Sequence, residues 1–195
     1  MPEKVVRVVN SLRERSNLTL RPLNMKDLDN EIQRLKTVYN GAWEKNWGFV
    51  PLTDDELDHL VKGLKPIIDP DIILIAEKEG EPVGFSLAAP DVNVPLHKIR
   101  PGASLISSYI GGARMILNRK KTHRFRVLAL GVLEAYRSAG VGALFYLETV
   151  TRAFHKGYTV ADGSWVLETN DPMNKAIAML GGKIYKKHRL YEKTI

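Results

Sequence analysis

The sequence predicts an α/β domain built on a central mixed sheet of about six or seven strands flanked by about four helices. Three observations predict it. β-Rich runs alternate with segments of helical periodicity along the chain. A near-continuous apolar run, Arg126 to Val132, leads through a glycine-bearing loop straight into an amphipathic segment over 141–155, the arrangement of a buried strand feeding a helix. Two further β-rich runs, Ile72 to Glu77 and Val83 to Ala89, are joined by Glu79-Gly80-Glu81-Pro82, a good hairpin connection.

In chain order, residues 1–16 place Val5, Val6, Val8, Val9 and Leu12 among Arg and Glu, which predicts a short amphipathic helix as an extension ahead of a domain over 17–195. A strand at Leu18 to Leu20 follows. Asn24 or Asp27 can cap a helix whose apolar positions Leu28, Ile32, Leu35 and Val38 keep helical spacing. Trp43, Trp47 and Phe49 then fall in a polar loop, and Thr53 with Glu56 forms a capping box for a second helix reaching Gly63. After the hairpin, an insertion over about 90–123 contains a helix from Leu105 to Asn118 and ends in the basic cluster Arg119, Lys120, Lys121 and Arg124. Behind the central strand and its helix, a strand is predicted at Ser164 to Leu167. A short helix capped by Asp171, with Pro172 in its first turn, then stops at Gly181-Gly182. Lys183 to Tyr185 and Arg189 to Glu192 read as a terminal strand pair.

Composition narrows the chemistry. The chain has no cysteine, which removes disulfides, thiolate metal sites and a cysteine nucleophile. Its five histidines, at 59, 97, 123, 155 and 188, never pair at helical ligand spacing, so the reading includes no metal. A net charge of +7 favours an anionic ligand without naming one. The N-terminus has no apolar leader, and no run of roughly 18 apolar residues could cross a bilayer. The reading is therefore a cytoplasmic protein with no membrane partner. Nucleic acid is set aside as well, because the basic cluster lacks an aromatic-interleaved stripe or a known motif.

The chemistry concentrates in the loop Arg137-Ser138-Ala139-Gly140-Val141-Gly142. A strand that delivers its chain directly into a helix leaves backbone amides pointing one way, and such an end attracts phosphate. Glycines at 140 and 142 remove side chains that would hold a diphosphate off the backbone, and Arg137 adds a fixed charge. The loop has neither Gly-Lys-Ser/Thr nor a three-glycine dinucleotide fingerprint, which argues against an NTPase or a Rossmann enzyme.

In both this loop and its order of elements, the sequence resembles the GCN5-related N-acetyltransferase (GNAT) family. Residues 137 to 142 match the family's Arg/Gln-x-x-Gly-x-Gly/Ala diphosphate motif at every defined position, and Val132 stands at the strand-ending valine. The resemblance covers roughly residues 18 to 193 and is strongest over 124–156. It implies a donor site for acetyl-CoA in which Ser138, Ala139, Gly140, Val141 and Gly142 hold the diphosphate. It also implies that backbone groups of Leu130 and Val132 pair with the pantetheine arm, and that the Asn170 side chain reaches it from the other side. The implied reaction is direct transfer of an acetyl group to a primary amine of a small molecule or peptide. One position departs from the pattern: the tyrosine common seven residues after the asparagine is Ile177 here. This departure leaves open a silent coenzyme A-binding module, and the helical N-terminus leaves room for a homodimer or an N-terminal partner domain.

Catalytic candidates are few. Glu168, at the end of a predicted strand, is either a general base or a solvated strand-end carboxylate. Tyr191 and Tyr185 lie on the predicted terminal strands and could approach a thioester or simply pack there. Trp43, Trp47 and Phe49 either line an acceptor pocket or anchor their loop.

Overall fold

The computed structural model describes residues 3–44, 49–97, 105–118, 122–189, 191 and 193. Helix α1 (Glu3–Ser16) ends where Asn17 adopts a left-handed conformation at φ 49°, a common helix stop for asparagine. Strand β1 (Thr19–Pro22) is followed by a single 3-10 turn capped by the Asn24 side chain and then by α2 (Leu28–Trp43). Helix α3 (Asp54–Leu64) has the full capping box: the Glu56 amide donates to Thr53 Oγ1 at 3.3 Å, and the Thr53 amide donates to Glu56 Oε2 at 3.0 Å. Strands β2 (Leu74–Lys78) and β3 (Glu81–Pro90) form a hairpin through Glu79 (φ 53°) and Gly80 (φ 86°). Two consecutive positive φ values give the turn whose twist matches that of the strands.

The insertion contains α4 (Asn93–Leu96) and α5 (Leu105–Asn118). It returns to β4 (Arg124–Val132), the short α6 (Glu134–Arg137), α7 (Val141–His155), β5 (Val160–Asp162) and α8 (Asp171–Met179). The sheet runs in the order β1-β2-β3-β4-β5, antiparallel except for the last pair. Two parallel neighbours need a crossover, and α7 supplies it.

Helix α2 covers one face of the sheet through Val38 and Ala42 against Phe85, and α7 covers the other through Val141 and Phe145 against Leu74, Val83 and Val132. On that second face Ser86 and Thr149 hydrogen-bond to each other at 3.1 Å, so the two buried hydroxyls satisfy one another. Helix α1 is packed into the domain: Val9 is buried against Leu144 and Leu147 of α7, and Arg13 pairs with Glu148. At the sheet margin Arg21 of β1 binds both oxygens of the buried Glu31 on α2 at 2.8 Å each, and it also bonds Glu77 of β2. This network holds α2 against the strands.

The fold class matches the sequence reading, with corrections in the last third of the chain. Five strands are present among the described residues rather than six or seven. The strand expected at Ser164 to Leu167 is instead the three residues Val160–Asp162. Ser164 adopts φ 57° directly after Gly163 and turns the chain off the sheet, leaving Trp165 84% exposed. Asn170 caps α8, its Oδ1 accepting from the Met173 amide at 3.3 Å, so Asp171 is the first helical residue instead of the cap. Lys183 to Tyr185 and the described residues Arg189 and Tyr191 form no strand, and Glu192 lies outside the described residues. Asp27 precedes α2 without a side-chain cap bond.

Candidate functional site

The site grows out of an irregularity in β4. Leu87 of β3 faces Ala129 and Ala88 faces Val127, so Leu128 has no partner and forms a bulge. Bulges bend a strand and re-aim its groups. On the other side, β5 pairs with β4 only over Arg124↔Val160, Phe125↔Ala161 and Arg126↔Asp162. From the bulge onward, therefore, the β5-side edge of β4 has no strand beside it among the described residues. Leu128, although central in the sheet, is 41% exposed, and the burial expected on both faces of this strand is incomplete for that reason.

Past the bulge, strand alternation decides which groups face the open edge. The Leu133 amide donates to Val83 O at 3.0 Å, so Leu133 and Gly131 direct their polar groups toward β3, and Leu130 and Val132 direct theirs outward. The Arg137 bond to Val132 O at 3.2 Å agrees with that direction. Leu130 and the Val132 amide thus face outward along an edge of the kind that takes an extended ligand as an added strand, while Val132 O is already taken by Arg137.

The loop Arg137 to Gly142 comes next in the chain. Gly140 has φ 76°, which favours glycine, and a Cβ there would lie 2.8 Å from Leu12 Cδ1 of α1 and displace the tip of that side chain. Gly142 differs: a Cβ there would meet nothing within 4 Å. Packing among the described residues therefore leaves the space beside it open. The first intrahelical bond of α7 is Leu144 N to Gly140 O at 3.2 Å, which leaves the amides of Val141, Gly142 and Ala143 directed out of the helix end. Ala139, by contrast, donates its amide to Tyr136 O at 3.2 Å and packs on the core, and Ser138 ends α6.

Arg137 is placed differently from the sequence reading. Its Nε donates to Val132 O, and its Nη2 donates to Ala42 O at 2.5 Å. The guanidinium braces the loop between the end of β4 and the C-terminal end of α2, where a cation is favoured by the helix dipole. Its charge remains at the loop, yet two of its donors serve the fold.

The opposite wall is made by β5, α8 and the C-terminal segment. Ile177 touches both Gly163 and Gly182: Cβ atoms built on those glycines would lie 3.3 and 2.4 Å from its side chain. An apolar side chain thus fills the place beside the end of β5. The hydroxyl that does reach this point belongs to Tyr185, which donates to Oδ2 of the buried Asp162 at 2.9 Å. The same carboxylate accepts from the Ser164 amide at 2.8 Å and lies 3.6 Å from Arg126 Nε. The hydrogen bond to Asp162, and the negative charge behind it, raise the Tyr185 phenol above its ordinary range. On α7, Tyr146 lies four residues beyond Gly142 on the same side of the helix, and burial pushes its phenol up to about 12.

Asp162 and Tyr146 were missed by the sequence reading. Asp162 was hidden by the displaced strand, and Tyr146 resembled any aromatic on an amphipathic helix. Glu168 occupies an exposed turn instead of a strand end, 3.5 Å from Arg189 Nη2. Tyr191 is 89% exposed. Asn170 commits its side-chain oxygen to the α8 cap. Trp43 packs with Tyr39 (ring centroids 4.5 Å apart) and Phe85 (6.4 Å) in the core cluster beneath α2, and Phe49 approaches Tyr39 at 5.7 Å. Trp47 and the basic residues 119–121 lie outside the described residues. Arg124 lies 3.4 Å from Asp91. Among the described residues, no group of three or more His, Asp and Glu could hold a metal, and no helix is long and apolar enough to cross a membrane.

The protein has a five-stranded mixed sheet with a bulged fourth strand, a parallel fifth strand and a glycine loop between β4 and α7, and solved structures resemble it in overall fold. The chain is similar to an N-acetyltransferase from Staphylococcus aureus Mu50 (TM-score 0.55, 16% identity, covering 85% of this chain and 82% of that one). It is also similar to the aminoglycoside acetyltransferase AAC(6')-Iy, solved with a bisubstrate analogue of coenzyme A (TM-score 0.54, 18% identity, 91% and 99%). A GNAT family acetyltransferase from Brucella melitensis, solved with acetyl-CoA, is a further neighbour (TM-score 0.51, 14% identity, 86% and 84%). The fold is that of the GCN5-related N-acetyltransferases. No protein-family model matches the chain.

Two curated relatives are nearer in sequence. Protein YghO of Escherichia coli K12 is 32% identical over 187 residues, and the bacterial ceramide synthase of Caulobacter vibrioides is 33% identical over 186 residues. These alignments take in 93% and 92% of this chain but 47% of each relative, so the chain spans about half the length of the curated relatives it matches.

Proposed function

We propose that this chain is an acyl-CoA-dependent N-acyltransferase acting on a primary amine. The observation that supports the reading most is the outward edge of Leu130 and the Val132 amide leading into a loop whose Gly142 has space beside it and whose Val141, Gly142 and Ala143 amides have no intrahelical acceptor. The donor supplies a thioester, whose carbonyl carbon bonds to the amine nitrogen as the C–S bond breaks and the thiol leaves. The residues of this chain bind and orient. Val141, Gly142 and Ala143 offer amides to the diphosphate, Ser138 and Arg137 border it, and Leu130 and Val132 align the arm along β4. Asn170 flanks that arm from α8. For proton handling the sequence offers Glu168 and Tyr191, and the structure adds Tyr185 with Asp162 at the point where β4 and β5 part.

The GNAT neighbours support acetyl-CoA as donor, and they include an enzyme acting on an aminoglycoside amine. A second reading, a long-chain acyl donor with a lipid amine such as a sphingoid base, is favoured by the name of the Caulobacter relative. One experiment separates them. Titration calorimetry with coenzyme A tests the donor site, and release of free thiol from acetyl-CoA and from palmitoyl-CoA, with an aminoglycoside or a sphingoid base as acceptor, tests the transfer. The chain has no cysteine, so the released thiol is read without protein background. Absence of coenzyme A binding overturns the proposal. Binding without turnover of either donor moves it to a silent module.

A further inference from the structure

Asp162 is the last residue of β5 and faces Arg126 in the last pair that joins β5 to β4. It is 6% exposed. Two cations stand beside its Oδ2, Arg126 Nε at 3.6 Å and Arg124 Nη2 at 4.0 Å, and Arg124 Nε also lies 3.4 Å from the buried Asp91. Neither Nε has a hydrogen-bond acceptor among the described residues, so the guanidinium groups give Asp162 charge rather than hydrogen bonds. The bonds come from two other donors: the Ser164 amide at 2.8 Å to Oδ1 and the Tyr185 hydroxyl at 2.9 Å to Oδ2.

A carboxylate flanked by guanidinium groups accepts hydrogen bonds and donates none, so the hydrogen of the Tyr185 hydroxyl is turned inward to Asp162. A phenol oxygen has one hydrogen and two lone pairs. With the hydrogen taken, this oxygen has only lone pairs to offer, and Tyr185 is 67% exposed, so a ligand reaches it. Lys186, next in the chain, places its Nζ 5.8 Å from the centre of the Tyr185 ring. The bond to Asp162 and the charge behind it hold the phenol to its proton, with Arg126 and Arg124 opposing them more weakly. At the place beside the end of β5, Ile177 supplies no hydroxyl at all.

Resting on the reading of this chain as an acyltransferase, we propose that Tyr185 receives the acceptor amine. Its oxygen accepts a hydrogen bond from the amine N–H and aims the nitrogen lone pair at the thioester carbon where β4 and β5 part. Asp162 is a positioning residue, which fixes the direction of the hydroxyl. Tyr185 does not protonate the leaving thiolate, because giving up its proton would set a phenolate against the Asp162 carboxylate, two like charges 2.9 Å apart. Its part in proton handling is to hold the N–H bond, not to supply a proton. In the transfer the nitrogen bonds to the carbonyl carbon and the C–S electron pair leaves with sulfur. The surplus proton on nitrogen goes to water, and water protonates the thiolate.

The test is steady-state kinetics with acetyl-CoA and palmitoyl-CoA as donors and kanamycin or sphinganine as acceptor, beside calorimetry with coenzyme A. Tyr185→Phe is expected to raise the acceptor KM about fivefold and lower kcat about tenfold, with coenzyme A affinity unchanged. Asp162→Asn does the same, and the double variant Tyr185→Phe/Asp162→Asn is no worse than either single one. The rising limb of kcat/KM against pH stays in place in Tyr185→Phe, since the phenol takes no proton. A thermal melt checks that each variant folds. If Asp162→Asn does not, Tyr185→Phe, which removes one hydroxyl from an exposed residue, decides alone. The proposal is overturned by a fall in kcat at unchanged acceptor KM, which assigns the hydroxyl to the thiolate, by a displaced pH limb, which makes it a base, or by additive effects of the two substitutions. Unchanged kinetics with a lower melting temperature leave Tyr185 a tie for the C-terminal segment and overturn it equally. Absence of turnover with both acceptors overturns it while coenzyme A binding keeps the donor site standing; absence of that binding removes the acyltransferase reading itself.

Discussion

The two sides of the candidate site are built by different means. The β4–α7 wall is made of elements in the core, and each irregularity in it is supported from elsewhere: Arg137 is braced by Ala42 of α2, and Gly140 is pressed by Leu12 of α1. The wall formed by β5, α8 and the C-terminal segment has short-range hydrogen bonds, exposed side chains such as Trp165 and Tyr191, and a tie through Tyr185 to Asp162. A wall braced in this way suits a ligand with one fixed geometry, such as the proposed diphosphate. A wall held by few ties suits an acceptor or acyl chain that differs among relatives of the same fold.

The sharpest way to break the comparison is to substitute the two loop glycines separately. Gly142→Val faces open space, so the melting temperature stays within about 3 °C of the parent while coenzyme A affinity falls about a hundredfold by calorimetry. Gly140→Val meets both a positive φ and Leu12, and it is expected to destabilise the protein by about 2–3 kcal/mol in urea unfolding. Equal effects at the two positions would show that Gly142 serves the fold after all.

The firm wall also depends on α2 staying against the sheet. Burial pushes the Glu31 carboxyl up, but hydrogen bonds from Arg21, the Asn24 amide and Arg34 outweigh it and hold the group below the usual carboxylate range. A depressed carboxyl contributes stability that is present above its unfolded-state pKa and lost as pH falls through the folded-state value. Glu31→Gln therefore costs about 2 kcal/mol at neutral pH, and the gap to the parent closes in acid, below the ordinary carboxylate range. A gap independent of pH would remove the charge from the explanation.

The smallest effects are expected on the looser wall. Tyr185→Phe lowers kcat about tenfold with little change in donor KM, while Tyr191→Phe and Glu168→Gln change kcat about twofold or less. A larger loss at either of the last two returns proton handling to the positions chosen from sequence.

Legibility in the sequence divides along the same line. The capping box of Thr53 and Glu56, the Glu79-Gly80 turn and the strand-loop-helix around Gly140 were visible because their hydrogen bonds close within a few residues. The helices over 105–118 and 141–155 were read with the bounds the structure shows. The strand expected at 164–167 failed because β propensity at Trp165 and Val166 lost to the turn at Gly163 and Ser164. The departure at Ile177 was visible as a missing hydroxyl, but nothing in the spacing of Tyr185 indicated that it reaches Asp162 from twenty-three residues away.

By itself, then, the sequence determined the local pieces, the strand-loop-helix around Gly140 among them, since turn chemistry, capping and periodicity act over a few bonds. Only the tertiary structure decided the bulge at Leu128, the outward direction of Leu130 and Val132, the inward use of Arg137 and the meeting of Tyr185 with Asp162. Each of these depends on register and packing between segments far apart in the chain, which residue type and spacing do not specify.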